Sequence, residues 1–363
     1  MPPAGFGAVE KVWHQLAHAF CRTGHRVTLV GKVGNEAPVT ADGLAIVPMR
    51  GAAASASLAV NLLKDLRYAA AVSQRVPPSD VVVTNSFWTP ILLRMPWSRR
   101  AALVVHVARF PKGQMWLYRG ATLIQAVSSV VADAVAQQAP GLRDKLRVLP
   151  NPVDTAIFRP PERARDRRSG APTVLYVGRI HPEKGLALLV RAVGELARTR
   201  PGIRLRMVGP ADVGDGGGGE AYVRSLQQMA GAATLEWTGA IRDPRALAGE
   251  YQAADCFCYP SLAAHGEASP VAPLEAMATG LPVIVSDLAC FRDYLEAGRT
   301  GVVFDHRGDG AVAALSLALE RVLADPAAAA AMGSAAARRA LDFSVEAVAQ
   351  RYLRMFDEAV ARC

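Results

Sequence analysis

The chain has 363 residues, of which 51% are hydrophobic, and it carries a formal net charge of +9 at pH 7. This length and apolar content predict two domains, each with a core of its own. No apolar run reaches membrane-spanning length and no secretory leader precedes the first helical pattern, so we expect a soluble cytosolic protein.

The first predicted elements are a helix and a strand in LAHAFCRTGHRVTLV, residues 16–30. Gly5 and Gly7 precede them and would let the backbone approach a ligand closely, although a short glycine loop is weak evidence alone. Further on, the apolar residues 101–105 predict a buried strand, and His106 follows it. Ligands of open α/β sheets bind at the carboxyl ends of strands, so His106 is either a site residue or a buried structural histidine.

A domain boundary is predicted at RPPERARDRRSGA, residues 159–171, because this stretch is proline-flanked, highly charged and without apolar periodicity. It separates a first domain, residues 1–158, from a second domain, residues 172–342, which is followed by a closing helix, residues 343–363. In the second domain, strand patterns alternate with helical ones, as in ALLVRAVGELA followed by IRLRMVG. This alternation favours a parallel sheet.

The segment APTVLYVGRIHPEKGL predicts a buried strand followed by a loop that carries two cations. Gly178 lets the backbone leave the strand sharply, and Arg179 and Lys184 follow on a loop that we expect to be exposed. A planar guanidinium and a mobile ammonium together can neutralise a diphosphate. The alternative is an ordinary solvated turn. The residues between the two cations are assigned no function.

The segment EASPVAPLEAMATGLP, residues 267–282, predicts a short apolar helix. Ser269 and Pro270 are typical of an N-cap and a first helical position. Free N–H groups around Val271 and Ala272 would then form an anion site. The segment ends at a glycine suited to the C′ position, and PVIV restarts the chain as a buried strand.

Two carboxylates flank this predicted anion site. Glu267 precedes the helix, and Glu275 lies inside it, with seven residues between them. Both can accept hydrogen bonds from hydroxyl groups on either side of a bound phosphate. A nucleoside diphosphate sugar has that order of groups, whereas the alternative is a buried helix with two incidental surface glutamates.

Together these segments resemble glycosyltransferase family 4, whose members are retaining enzymes with the GT-B fold. The resemblance rests on GRIHPEKG, on the two glutamates followed by AMATGLPVI, and on VLPNPVDTAIF and YQAADCFCYPSL. It covers nearly the whole chain, but its motifs are not specific to the sugar or the acceptor. It implies two Rossmann-like, doubly wound α/β domains that face each other across a cleft, with the closing helix packed back on the first domain.

The resemblance also implies roles for the candidate residues. Arg179 and Lys184 would bind the diphosphate, Glu275 the ribose hydroxyls and Glu267 the hydroxyls of the transferred sugar, while His106 would face its reacting carbon. The predicted donor-binding set is completed by Gly5, Gly7, Gly178, Ser269, Pro270, Val271 and Ala272. The implied reaction is retaining transfer of a hexose to a glycan or lipid-linked acceptor in cell-envelope or polysaccharide biosynthesis. A catalytically silent subunit that binds sugar nucleotides is the alternative.

One part of the family pattern is missing. The family begins with a strand ahead of the glycine loop, whereas this chain begins MPPAGFGAVEKV. That strand would be central in a parallel sheet, so its loss would expose the backbone groups of two neighbours. The simplest expectation is that the true start lies upstream, and the alternatives are that another segment fills the gap or that the first domain is marginal.

Several motifs for cofactors and partners are missing from the sequence. There is no Asp-x-Asp, and the cysteines and histidines lack metal-ligand spacing, so we predict no metal and no cofactor besides the nucleotide sugar. A nicotinamide-dependent enzyme is disfavoured because the glycine loop lacks a third glycine. Nucleic-acid binding has no motif. The basic aromatic segment at residues 87–100, FWTPILLRMPWSRR, has two interpretations. It could contact the inner face of an anionic membrane, or it could form a buried helix whose long basic side chains reach the solvent at its ends.

Overall fold

The computed structural model describes residues 8–31, 39–49, 57–93, 101–162 and 170–363. The chain divides into two compact units. Unit 1 comprises Met1–Pro152 and Val345–Cys363, and unit 2 comprises Val153–Ser344. The predicted boundary stretch at residues 159–171 falls near the start of unit 2.

Unit 1 alternates helices and strands, as its apolar pattern predicts. Up to residue 152 its elements are α1 (Ala8–Arg22), β1 (Val27–Gly31), β2 (Val39–Ala41), β3 (Leu44–Pro48), α2 (Leu58–Ser73), β4 (Val81–Thr84), α3 (Thr89–Leu92), β5 (Ala102–Val107), β6 (Leu123–Ala126), α4 (Ser129–Gln138) and β7 (Leu146–Val148). Glu10 lies in the first turn of α1 and Arg22 in its last, where each charge suits the helix dipole.

The strands of unit 1 form two sheets. In the smaller sheet the order is β1-β3-β2, with β1 parallel and β2 antiparallel to β3. In the larger sheet β4, β5, β6 and β7 are parallel and follow one another in chain order. Among the described strands, β1 pairs in register only with its parallel neighbour β3, and β4 only with its parallel neighbour β5, so each is paired on one side.

Unit 2 continues the alternation with strands that are mostly buried. Its elements are β8 (Thr173–Val177), α5 (Leu186–Leu196), β9 (Arg204–Val208), α6 (Gly219–Met229), β10 (Thr234–Trp237), α7 (Pro244–Ala253), β11 (Cys256–Tyr259), α8 (Ala272–Ala278), β12 (Val283–Ser286), β13 (Val302–Phe304), α9 (Ala311–Ala324) and α10 (Pro326–Ala340). Cys256 and Cys258 are both buried in one strand, β11.

One parallel sheet organises unit 2, in the order β10-β9-β8-β11-β12-β13. From β8 the chain adds β9 and then β10 towards one edge of the sheet. It then returns to β11, beside β8, and adds β12 and β13 towards the other edge. The order therefore reverses between β8 and β11. In open α/β sheets, such a switch point is where the connections diverge and a ligand can enter.

The last helix, α11 (Val345–Ala361), belongs to unit 1. Its Tyr352 and Phe356 pack against Phe20 of α1 in one hydrophobic cluster. An ion pair of 2.7 Å joins Arg22 to Glu346 at the edge of this contact. None of the described helices combines the length and apolar character that crossing a bilayer requires.

Candidate active site

The two predicted loops meet at the switch point of unit 2. The pairing of β11 with β8 places Cys256 opposite Val174 and Phe257 opposite Leu175. Parallel pairing brings the carboxyl ends of the two strands together, so the loops that leave them are neighbours. We call residues 178–185 the β8 loop and residues 260–271 the β11 loop.

The β8 and β11 loops touch backbone to backbone. Gly185 has a φ of 69°, and a Cβ atom there would lie 2.0 Å from the carbonyl oxygen of Pro260. Only glycine fits this conformation and this distance. Beside it, the Leu262 amide donates to the carbonyl of Glu183 at 2.9 Å. The β8 loop is therefore fastened to the β11 loop.

Gly178 makes the exit from β8 possible. Its φ is 153°, and a Cβ atom there would lie 2.6 Å from the Tyr176 hydroxyl. That hydroxyl donates to the carbonyl of Arg179 at 2.9 Å, which holds the first turn of the loop. Gly178 thus allows the backbone departure that the sequence predicts, and its contact with a donor stays a prediction.

Lys184 and Glu267 form a buried ion pair across the two loops. The Lys184 ammonium is 2.5 Å from Glu267 Oε1, and the residues are only 6% and 5% exposed. The expectation that Lys184 is on an exposed loop is therefore wrong. The cause is the close contact between the loops, which turns the lysine inward towards its carboxylate partner. A buried charge is tolerated where an opposite charge and hydrogen bonds compensate it.

Further donors converge on the same carboxylate oxygen. The Ser261 hydroxyl donates to Glu267 Oε1 at 2.7 Å, and the Tyr259 hydroxyl does so at 3.1 Å. Burial and the nearby Glu267 charge raise the pKa of Tyr259 well above its usual value, so it remains a neutral donor. The hydrogen bonds of Glu267 to described residues all go to Oε1, and the binding of sugar hydroxyls by this carboxylate stays a prediction.

Arg179 lies at the outer side of the β8 loop and is 43% exposed at its side chain. It donates to Glu183 Oε1 at 2.6 Å and to the carbonyl of Gly216 at 2.7 Å. The same Glu183 oxygen is 3.7 Å from the Lys184 ammonium. Glu183 therefore lies between the two predicted diphosphate ligands, although the sequence gives it no role.

Glu275 accepts a hydrogen bond from a buried tyrosine. Tyr251 is fully buried on α7, and its hydroxyl donates to Glu275 Oε2 at 2.8 Å. Burial, and next the Glu275 charge, raise the pKa of this phenol well above its usual value. Glu275 itself is half-buried in the first turn of α8. Each glutamate of the pair thus has a buried tyrosine as a donor.

The beginning of α8 differs from the prediction. The N-cap is Val271 rather than Ser269, no side chain caps the helix, and the proline of the first turn is Pro273 rather than Pro270. The helix starts as late as Ala272 because Pro273 suits the first turn, where a missing N–H costs nothing. With seven residues, α8 is short. Phosphate binding at Val271 and Ala272 stays a prediction.

His106 lies in unit 1, within β5 rather than after it. It is 3% exposed, its Nδ1 contacts Gln125 Oε1, and its ring meets Trp13 at 5.2 Å between centroids. Burial lowers the pKa of His106 to about 4. These contacts fit a structural histidine, and the role facing the sugar stays a prediction. Gly5 and Gly7 lie outside the described residues.

Sequence reasoning missed the residues that support the two glutamates. Tyr251, Tyr259 and Ser261 lie in the segment YQAADCFCYPSL, where the sequence indicates no site residue, and Glu183 is one of the residues between the two cations to which it assigns no function. The useful signal was the position of Tyr259 and Ser261 at the carboxyl end of β11, beside the predicted site. Within the described parts of the chain, no three His, Cys, Asp or Glu side chains are grouped to hold a metal ion.

Two family models match this chain, one in each half. A model described as Glycosyl transferases group 1 matches residues 159–339, and one described as Glycosyltransferase Family 4 matches residues 9–157. The chain belongs to glycosyltransferase family 4. Both matches together span nearly all of the sequence, which confirms the resemblance found in its motifs.

Relatives of known name match about three fifths of this chain or somewhat more. The D-inositol 3-phosphate glycosyltransferase of Kineococcus radiotolerans is 36% identical over 60% of this chain and 52% of its own. The glycogen synthase of Mycobacterium tuberculosis is 31% identical over 65% of this chain and 54% of its own. The chain therefore spans about half the length of these relatives.

Solved structures show the fold. The sucrose-phosphate synthase of Thermosynechococcus elongatus superposes with a TM-score of 0.80 at 22% identity, covering 98% of this chain and 94% of its own. Anabaena HepE, solved with UDP and glucose, gives 0.71 at 18% identity over 98% and 97% of the two chains. The family 4 chain described here thus has the GT-B fold, with two α/β units built on parallel strands.

Proposed function

We propose that this protein is a retaining hexosyltransferase that needs no metal. It would move a hexose from a nucleoside diphosphate sugar to a glycan or lipid-linked acceptor, in cell-envelope or polysaccharide biosynthesis. The proposal rests on one observation above all: the buried Lys184–Glu267 pair at the switch point of unit 2. Family membership and the names of the relatives support the reaction class.

The buried Lys184–Glu267 pair could contact both the phosphate and the sugar of such a donor. An ammonium has three N–H groups, so Lys184 can bond Glu267 and still donate to a phosphate oxygen. Glu267 Oε1 is occupied by three donors, which leaves Oε2 for hydroxyls of the sugar. One rigid pair would thereby hold the sugar and the leaving group in a fixed relation, which is what orientation of a reacting carbon demands.

Departure of the leaving group loads negative charge onto the diphosphate. Lys184 and Arg179 are the cations near that position in the β8 loop, so their stabilisation grows as the glycosidic bond breaks. A cation placed in a water-poor site acts more strongly than one in solvent. These two side chains would therefore do the work that a divalent ion does in other transferases, and added chelator should leave turnover intact.

The nucleoside end is assigned to α8. Glu275 is fixed by the Tyr251 hydroxyl through one oxygen, and a carboxylate in that setting can accept both hydroxyls of a ribose. Retention of the anomeric configuration follows from the family resemblance. A same-face route assisted by the departing phosphate is preferred, because no carboxylate of unit 1 is singled out as a nucleophile.

A cytoplasmic location with peripheral contact to an anionic membrane remains part of this proposal. Trp116 is 55% exposed, next to Met115, which is fully buried. An exposed indole among basic residues is suited to a membrane interface. Residues 94–100 of the basic aromatic segment lie outside the described residues.

The experiment is a donor screen with two readouts. Purified protein is titrated with nucleoside diphosphates and their sugars by calorimetry, and released nucleoside diphosphate and the anomeric form of the product are then followed by NMR, with and without EDTA. We expect selective binding of one donor class, slow hydrolysis without acceptor and product of retained configuration. An inverted product or strict dependence on Mg²⁺ or Mn²⁺ would contradict the mechanism.

The alternative function, a silent subunit that binds sugar nucleotides, is favoured by the divided sheet of unit 1. It predicts donor binding with no hydrolysis and no transfer to any acceptor. The same titration separates the two, since binding without release of nucleoside diphosphate would support the silent subunit.

A further inference from the structure

The side chain of Arg179 is bound by two acceptors that belong to different loops of unit 2. Its Nη2 donates to Glu183 Oε1 at 2.6 Å, and its Nη1 donates to the Gly216 carbonyl at 2.7 Å. Glu183 lies in the β8 loop, whereas Gly216 lies in the glycine-rich residues 209–218 after β9, which we call the β9 loop. Because a guanidinium is rigid and planar, acceptors on two of its nitrogens fix the direction in which its other N–H groups point.

The β9 loop is fastened to the β8 loop along its backbone. The Ile180 amide donates to the Pro210 carbonyl at 2.9 Å, and the Gly218 amide donates to the Ile180 carbonyl at 2.7 Å. A Cβ atom at Gly209 would lie only 1.9 Å from the Gly178 carbonyl oxygen, so the two backbones are in contact there as well. The β9 loop therefore offers the guanidinium an acceptor at a fixed position.

Glu183, the second acceptor, has a fixed backbone too. Its amide donates to His181 Nδ1 at 3.3 Å, and its carbonyl accepts from the Leu262 amide of the β11 loop at 2.9 Å. The carboxylate thus extends from a Cα atom whose place is set, and only its side-chain rotamer remains to be chosen. In the chosen rotamer Oε1 accepts from Arg179, while Oε2 lies 3.8 Å from His181 Nδ1.

The Arg179–Glu183 pair contributes little to the stability of unit 2. The two side chains are 43% and 34% exposed, and an exposed ion pair at i,i+4 spacing is weakened by water and by the loss of side-chain entropy. The main effect of the pair is therefore on the arginine itself. A long side chain that could adopt many rotamers is restricted to the orientation in which both acceptors are reached.

The orientation leaves the guanidinium able to bind a ligand. Glu183 and Gly216 each accept one of its five N–H groups, and the others can still donate to phosphate oxygens. Glu183 Oε1 also lies 3.7 Å from the Lys184 ammonium, so the carboxylate stands between two cations of the β8 loop. A carboxylate at that point lowers the net positive charge that a diphosphate meets. Its benefit to the site must therefore come from orientation rather than from attraction.

We propose that Glu183 is a positioning residue of the diphosphate site, and that it acts through Arg179. It holds the guanidinium against the β9 loop, in the orientation that meets the diphosphate oxygens of the donor, and it does not contact the donor itself. This inference rests on the function proposed above, because it requires the donor to bind at Arg179 and Lys184. It adds to that function a residue whose charge alone would oppose binding.

The test is a double-mutant cycle between the two residues. Glu183→Ala, Arg179→Ala and the double variant are compared with the wild type. The probes are UDP, GDP and ADP for binding by calorimetry and their glucose esters for hydrolysis, measured with enzyme in excess so that slow release stays measurable. Glu183→Gln is included because its amide oxygen can still accept from Arg179. Glu220→Ala is the matched control, since it breaks another exposed i,i+4 pair of unit 2, with Arg224.

We expect Glu183→Ala to lower kcat/KM for hydrolysis by about tenfold in the wild-type background, and by less than about twofold once Arg179 is Ala. The reason is that orientation has no value when the oriented group is gone. Glu183→Gln should recover most of the loss, and Glu220→Ala should show none. The Tm of Glu183→Ala should stay within about 2 °C of the wild type.

Two outcomes would overturn the proposal while the proposed function stands. Equal losses from Glu183→Ala in both backgrounds would show that it does not act through Arg179. Faster turnover of Glu183→Ala would show that its charge hinders the reaction and that its orienting effect is negligible. If the wild type binds none of the nucleotides and hydrolyses none of the esters, the function proposed above fails, and this inference fails with it.

Discussion

Unit 2 has one parallel sheet of six strands, whereas the strands of unit 1 fall into a sheet of three and a sheet of four. In unit 2 the central strands β8 and β11 are adjacent and fully buried. In unit 1 the strands β1 and β4 border a cavity and are only partly covered. The candidate site with fixed side chains thus lies in the unit whose central strands are adjacent and buried.

This difference matters for charged side chains. A buried ion pair such as Lys184–Glu267 needs a rigid, dense surrounding, because its desolvation is repaid only by good geometry. In unit 1, by contrast, His106 is buried without an opposite charge, and burial lowers its pKa to about 4. The following predictions test how far the two units differ.

The largest effect is expected for Lys184→Met. It leaves Glu267 buried without its cation, so we expect a loss of about 3–5 kcal/mol in stability, with Tm lowered accordingly. Turnover should fall by about one to two decades or more, because a charged donor to the diphosphate is lost. The double variant Lys184→Met, Glu267→Gln should regain much of the Tm but none of the turnover.

A control for this variant is Lys145→Met in unit 1, whose ammonium donates to the carbonyls of Arg119 and Ala121. It should leave turnover unchanged. Full activity of Lys184→Met would remove the central observation behind the proposed site, whatever the melting temperatures show.

The second prediction concerns unit 1 and pH. Burial lowers the pKa of His106 from 6.5 to about 4, so the unfolded chain binds this proton more readily than the folded one. The free energy of unfolding is therefore undiminished by this group above pH 6.5. It decreases by up to about 3 kcal/mol as the pH falls towards 4. Chemical denaturation of the wild type and of His106→Gln between pH 4.5 and 7.5 measures it. The variant should show the shallower slope, and equal slopes would refute this assignment.

The third prediction separates binding from stability at the outer cation. Arg179→Ala should weaken binding of nucleoside diphosphate by about 10- to 100-fold, since hydrogen bonds to charged groups contribute about 1.5–3 kcal/mol. Its Tm should hardly change, because the side chain is 43% exposed. Arg224→Ala is the matched control, as it breaks another exposed pair at i,i+4 spacing. A large loss of Tm for Arg179→Ala alone would mark it as structural.

The smallest effects are expected for the two tyrosines that donate to Glu267 and Glu275. Each Phe variant should lose about tenfold, in turnover or in ligand affinity. Tyr259→Phe loosens Glu267 and should lower turnover while nucleoside diphosphate still binds normally. Tyr251→Phe loosens Glu275 and should weaken both nucleoside diphosphate and donor. Tyr294→Phe, which removes a hydroxyl bonded to the Pro270 carbonyl, is the control for loss of a buried hydroxyl. The opposite pattern between Tyr259 and Tyr251 would reverse the proposed orientation of the donor.

The sequence sufficed for the element order and for the two loops at the switch point, because apolar periodicity and glycine positions are local properties. It did not reveal that Lys184 is buried, since its partner Glu267 lies 83 positions away and depends on the pairing of β8 with β11. Nor did it separate Tyr251 and Tyr259 from ordinary core aromatics. Their function depends on where a single hydroxyl points, which composition does not specify.

The start of α8 shows a second limit of prediction from the sequence. Ser269 and Pro270 are good capping residues by local preference, yet the helix begins at Ala272. The Tyr294 hydroxyl donates to the Pro270 carbonyl, so the segment before the helix has its own tertiary partner. Local propensity is a weak guide where such contacts compete with it.

The contact of Gly185 with Pro260 has a consequence for how this enzyme can vary. A side chain at position 185 would collide with the Pro260 carbonyl, and the Leu262 amide donates to the Glu183 carbonyl, so a change in the backbone course of one loop requires a change in the other. If the proposed activity holds, a substitution in one loop that suits another sugar must also be compatible with the backbone of the second loop. Changes of specificity in this chain should arise as paired replacements, or at positions outside this contact.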